Sequence, residues 1–130
     1  MTGLVLVTHA GLASALKAAA EMIVGPIESC SAVEISADER ADDIMARFVT
    51  AVSSVQADGA IILTDLFGGT PSNMAMSFLK EGSVEVVTGV NLPMLMEFCS
   101  RRERMTVAEL AASLQKSGRD GIMVAGEFLK

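Results

Sequence analysis

The chain has 130 residues, 51% of them hydrophobic and 20% charged, with a formal net charge of −6. That is the length of one domain, residues 1–130, able to bury a core without disulfide or metal, and no apolar run nears the roughly 20 residues a membrane-spanning helix needs. Ten Lys plus Arg against sixteen Asp plus Glu, with no Trp or Tyr, argue against nucleic acid, which asks for a basic footprint or a stacking platform.

The predicted elements alternate. Leu4 to Val7 reads as a first buried strand that ends at Thr8 and His9, the only histidine of the chain. Leu12 to Val24 follows as a helix, with Leu12, Leu16, Ala19 and Ile23 on one face and Gly25-Pro26 as its exit. Ala32 to Ile35 is a second strand. Arg40 to Val55 is a helix whose apolar stripe is Ala41, Ile44, Phe48, Val52 and Val55. The run GAIILTD, apolar up to Thr64-Asp65, is a third strand covered on both faces. Thr70 and Pro71 suit the N-cap and first position of a helix that runs to about Leu79. VEVVTG is a fourth strand, and another helix begins near Pro93. Thr106 and Glu109 have the spacing of a capping box for a helix that Gly118 closes. GIMVAG reads as a last short strand, and no linker or repeat intervenes. Asp42-Asp43 and Arg101-Arg102 read as solvated helix faces.

Strand–helix alternation of this kind predicts an α/β fold, a parallel sheet with helices on both faces. Ligands then bind beyond the carboxyl ends of the strands. Three loops lie there: Thr8 to Gly11, Asp65 to Asn73, and Gly89 to Pro93. If the first and third strands are neighbours, His9 and Asp65 come face to face. A neutral imidazole is a nucleophile at neutral pH, and a carboxylate on one ring nitrogen fixes the proton there and frees the other. Gly68 and Gly69 permit a tight turn with free N–H groups, and such a turn cradles a phosphate without a cation. Taken alone, Asp65 would equally cap a loop, and Gly68-Gly69 would serve any tight strand–helix turn. Met74, Met76, Met94 and Met96 near this rim read as core filling first and a soft docking surface second.

Other chemistries lack their parts. Cys30 and Cys99 stand apart without the histidines of a zinc site, and read as half-buried thiols of a reducing compartment. There is no G-x-x-x-x-G-K-[ST] loop, no G-x-G-x-x-G after the first strand, and no G-x-S-x-G around Ser72. A receiver domain would need acidic metal ligands after the first strand, where Thr8-His9-Ala10 stands instead. A phosphatase or mutase would need an arginine clamp near His9.

The segments VTHAGLA, LTDLFGGTPSN and VTGVNLPMLME resemble, in order and spacing, the enzyme IIA domain of the mannose family of the bacterial phosphotransferase system. The related dihydroxyacetone kinase phosphoryl-transfer subunits share a strand-end histidine, but GGTPSN is not expected of them. The resemblance implies a doubly wound sheet of order 2-1-3-4. It also implies a last, antiparallel strand around Ile122 to Ala125 that is exchanged across a homodimer, with Gly118 and Gly121 permitting the crossing. It implies a cytoplasmic phosphohistidine carrier with no cofactor and no metal. The donor would be HPr and the acceptor an enzyme IIB domain, for sugar uptake. A regulatory protein that signals its phosphorylation state to a partner is the alternative. By matching positions, His9 takes the phosphate on the ring nitrogen farther from the backbone and Asp65 orients it. Gly68, Gly69, Thr70 and Ser72 supply phosphate donors, and Thr8 and Asn91 line the crevice. The family often occurs fused to a IIB domain, and this chain stops at Lys130, as a stand-alone carrier would.

Overall fold

The computed structural model describes residues 1–130. Its elements are β1 (Gly3–His9), α1 (Leu12–Val24), β2 (Cys30–Ile35), α2 (Ala41–Val55), β3 (Ala60–Thr64), α3 (Thr70–Met76), β4 (Val84–Thr88), α4 (Leu92–Arg101), α5 (Val107–Asp120) and α6 (Ala125–Phe128). The four strands form one sheet in the order β2-β1-β3-β4, every pair parallel. This is the order the resemblance implied.

The alternation of side chains along the central strands builds two cores. Leu4, Leu6, Ile61 and Leu63 face α1, α4 and α5, where Ala13, Ala20, Leu95, Phe98, Leu110 and Leu114 cover them. Val5, Val7, Ala60 and Ile62 face the other way, under Ile44, Phe48, Val52 and Val55 of α2 and Ala75 of α3. The caps follow local chemistry. Gly25 ends α1 at φ +85, Asn91 caps α4 by accepting the Met94 N–H, and Thr106 and Glu109 form the expected reciprocal box on α5. No helix is long and apolar enough to cross a membrane.

Five sequence readings need correction. The buried stripe of α1 is Ala13 and Ala20, not Leu12 and Ile23, which are exposed. Small side chains let the helix lie close to the sheet, and closeness outweighs side-chain size. Gly69, not Thr70, is the N-cap of α3, which stops at Met76, short of Leu79. Gly118 does not close α5. It is buried inside it, where a Cβ would stand 2.9 Å from Met94 Sδ, and Gly121 is the C-cap. Arg102 is not solvated: its Nε and Nη2 donate to the Thr2 carbonyl at 3.0 and 2.7 Å, and the guanidinium lies over the Phe98 ring.

The fifth concerns the end of the chain. Within the single chain, Ile122 to Ala125 does not form a strand. The Ile122 N–H turns back to the Arg119 carbonyl, and Val124 opens the single turn of α6. The apolar run has strand length, but β4 ends the sheet with no strand beside it, and an unpaired strand leaves its backbone groups unbonded.

Candidate functional site

The parallel sheet places the carboxyl ends of β1 and β3 side by side, with Val7 in register with Thr64. His9 is therefore two residues beyond this last pair on β1, and Asp65 is the first residue after β3. Asp65 Oδ2 accepts the His9 backbone N–H at 3.0 Å and bonds His9 Nδ1 at 2.9 Å. Burial pushes the Asp65 carboxyl up, but the hydrogen bonds from His9 outweigh it and hold the group below the ordinary aspartate range. An ionised carboxylate only accepts, so Nδ1 carries the proton, and in the neutral ring the lone pair is on Nε2. The imidazole is half exposed at 50%, whereas the Asp65 side chain is 14% exposed. The nucleophile faces out and its orienting group sits behind it.

Backbone geometry around His9 is tight. Ala10 follows in the left-handed region at φ +50, with its N–H on the Ile35 carbonyl at 2.8 Å. This bend turns the chain from β1 into α1 and leaves His9 at the rim. Such strain in a non-glycine residue persists where the surroundings enforce it. Thr8 is fully buried and does not line the crevice surface. Its Oγ1 accepts the Ala13 N–H at 2.7 Å and donates to the His9 carbonyl at 3.2 Å. The hydroxyl caps α1 from a position before Gly11, whose lack of a side chain would otherwise leave that N–H unmet.

The loop from Asp65 to Thr70 wraps the imidazole. Gly68 sits at φ +88, which favours glycine. Gly69 packs on the ring itself: a Cβ there would stand 2.9 Å from His9 Cε1 and 3.4 Å from Nε2. No side chain caps α3, so helix geometry leaves the N–H groups of Gly69 and Thr70 without an intrahelical acceptor, in the loop that packs on the His9 ring. Thr70 is exposed and, with His9 and Met74, lines a recess of about 420 Å³ whose far wall is Ile35, Ala37 and Glu39. Glu39 is paired with Arg47. Leu66 and Phe67 stand out into solvent at 60% and 71% exposure, beside Asp65.

Two expected residues are placed elsewhere. Ser72 is fully buried in the first turn of α3 and does not reach the crevice surface. Asn91 spends both ends of its amide on the scaffold, with Oδ1 accepting from Met94 N and Nδ2 donating to the Gly118 carbonyl at 2.9 Å. It joins α4 to α5. Of the methionines at the rim, Met74 lines the recess and Met94 is core. The role of Thr8 and the strain at Ala10 carried no sequence signal. The exposed pair Leu66-Phe67, apolar residues in a turn, could have been noticed. A groove of about 830 Å³ lies away from His9 along the free edge of β2, between α1 and α2. It is the open trough an edge strand leaves between its flanking helices, and it lacks a group arranged like His9 and Asp65.

Residues 3–115 match the model of a family described as "PTS system fructose IIA component" (EIIA-man). The chain is 34% identical over 114 residues to the sorbose-specific EIIA component of the phosphotransferase system of Lacticaseibacillus casei, covering 87% of this chain and 83% of that one. It is 30% identical over 132 residues to the fructose-specific EIIA component of Bacillus subtilis, covering 100% of this chain and 90% of that one. Among solved structures, the phosphotransferase system component EIIA from Streptococcus agalactiae superposes with a TM-score of 0.89 at 25% identity, over 98% of this chain and 99% of that one.

Proposed function

This chain belongs to the EIIA-man family of phosphotransferase-system components, and from that premise we propose that His9 is its phosphorylated residue, loaded by HPr and unloaded by an enzyme IIB domain. Membership itself gives the coarser statement, a phosphocarrier role in a sugar phosphotransferase system.

The single observation that carries the assignment to His9 is the bond between Nδ1 and Asp65 Oδ2 at 2.9 Å, with Nε2 left free at the rim. The Nε2 lone pair attacks phosphorus in line with the donor's P–N bond. A new P–N bond forms at Nε2, the old one breaks, and its electron pair returns to the donor's ring. The His9 ring keeps its Nδ1 proton, so it gains positive charge as Nε2 is substituted. The Asp65 carboxylate faces that charge and stabilises it. The N–H groups of Gly69 and Thr70 and the Thr70 hydroxyl are the donors for the phosphoryl oxygens, and Gly68 supplies the turn that aims them. No lysine or arginine holds the phosphate, which suits a group that must leave again. Transfer to the acceptor histidine is the same step reversed.

The test is phosphorylation by phosphoenolpyruvate, enzyme I and HPr, followed by intact mass. One phosphoryl group, labile in acid and stable in base, is expected on the native chain and none on His9→Ala. Asp65→Ala should fold and load about 100-fold more slowly. Phosphate that persists in His9→Ala would overturn the assignment.

The partner set we propose also includes a second copy of the chain. Supporting it are the exposed apolar residues Ile122, Met123, Val124, Phe128 and Leu129, and the β4 edge that no strand covers.

A further inference from the structure

Beneath the imidazole, three buried oxygens have no hydrogen-bond partner within the chain: Thr64 Oγ1, Asp65 Oδ1 and Ser72 Oγ. Buried polar atoms are nearly always bonded, and a carboxylate oxygen is the costliest of all to leave bare. The fold puts the three in one layer. Thr64 ends β3 and shares the face of Ala60 and Ile62 by strand alternation, the face that packs under α2 and α3. Ser72 lies on the buried side of α3 with Pro71 and Ala75, and Ala75 belongs to that same cluster. Gly69, three residues before Ser72, touches the His9 ring, and Asp65 directly follows Thr64. The chain therefore holds two buried hydroxyls, each able to donate, near the end of β3 and the start of α3, and one buried Asp65 oxygen that His9 does not use.

We infer that Ser72 is a positioning residue: its hydroxyl, together with that of Thr64, holds one buried water against Asp65 Oδ1. Three polar partners are what a buried water usually has. The bond fixes the plane of the carboxylate, so that Oδ2 stays aimed at both His9 donors. Ser72 therefore acts on the phosphoryl-accepting imidazole from behind, through Asp65, and not on the phosphate. This rests on the reading of Asp65 as the orienting partner of His9. The titratable group facing Asp65 is His9 on β1. Helix α3 carries no titratable residue, and Glu39, which lines the recess with His9, is paired with Arg47.

The experiment follows Asp65 and His9 by NMR in the unphosphorylated protein, so it reads out whether or not the chain takes up phosphate. The native chain, Ser72→Ala, Ser72→Thr and Thr64→Val are titrated, with the Asp65 carboxyl carbon and the His9 ring nitrogens as probes. Losing a donor to a carboxylate raises its pKa. Ser72→Ala should therefore titrate at higher pH than the native chain and shift the His9 nitrogens away from the Nδ1-protonated form. Phosphoryl transfer, measured separately, should slow about tenfold, the size usual for loss of an outer hydrogen-bond partner. Thr64→Val should move the same signals in the same direction, and Ser72→Thr, which keeps the hydroxyl, should restore them. An unchanged Asp65 titration in both Ser72→Ala and Thr64→Val would overturn the inference. So would a gain in stability of Ser72→Ala at unchanged transfer rate, the result of deleting a hydroxyl that bonds nothing.

Discussion

At Gly69 a hydrogen occupies the place of a Cβ that would stand 2.9 Å from His9 Cε1. Carbon atoms prefer about 3.5–4.0 Å, so an added methyl must displace the ring or the loop. The backbone at Gly69 is extended, at φ −85 and ψ 172, which any residue adopts. A substitution there adds the steric contact and nothing else. The ring is tied to Asp65 at Nδ1, and the loop continues into Pro71, buried in α3. The ring is the part that gives. Gly69→Ala should fold with native stability, lengthen the His9–Asp65 bond, and slow phosphoryl uptake about 10- to 100-fold, since misplacement of a reacting group by 1 Å is worth roughly 100-fold. Native loading kinetics with an unshifted Nδ1 proton resonance would show that the loop yields instead. His9 and Asp65 were legible as a pair because a strand-end position and a residue type sufficed. The tightness at Gly69 was not, since a glycine in a turn has several reasons to be there.

Among the elements, β1 carries the site and is held at both ends. At its far end Gly3 passes under the last turn of α2, where a Cβ would lie 2.0 Å from the Val55 carbonyl oxygen. Gly3 is in register with Ala60 of β3, so β1 cannot slide away without unpairing. Gly3→Ala should destabilise the fold by about 3 kcal/mol or more, at the upper end for overpacking a core, with a matching fall in the urea midpoint. A loss below about 1 kcal/mol would mean that α2 shifts freely on the sheet. Elements with local punctuation were readable: the exit of α1 at Gly25, the box of Thr106 and Glu109, and the stripe of α2 at Ile44, Phe48, Val52 and Val55, though Ala41 is exposed and Ala51 takes its place in the core. Features decided by what an element packs on were not. The periodicity of α1 fits two faces, and the sheet selects the one with Ala13 and Ala20. Arg102 looks like half of a solvated pair until the Thr2 carbonyl, a hundred residues away, is brought to it. Ser72 belongs here too: its burial depends on how α3 is rolled against β3 and not on its neighbours in sequence.

For the molecule as a whole, the unbalanced feature is its last stretch. Five large apolar side chains between Ile122 and Leu129 are exposed on a chain of net charge −6, while β4 presents an unpaired edge. Contiguous exposed apolar surface on a soluble domain marks an interaction site, and an open strand edge is a template for pairing. Gly121 fixes where the stretch departs, because it packs on Pro93 at the start of α4. The same-chain alternative fails, since the segment turns into α6 and leaves the β4 edge bare. A second copy, as proposed above, would supply both halves at once, a tail for each open edge, and would close the pair with two-fold symmetry. The full chain should therefore sediment as two copies of 13.6 kDa, and its thermal midpoint should rise with protein concentration. A chain ended after Gly121 keeps the sheet, both cores and the His9–Asp65 pair, so it should sediment as one copy with a concentration-independent midpoint. A full-length chain that stays single at tens of micromolar would leave the tail without this role, and the β4 edge would then await a different partner.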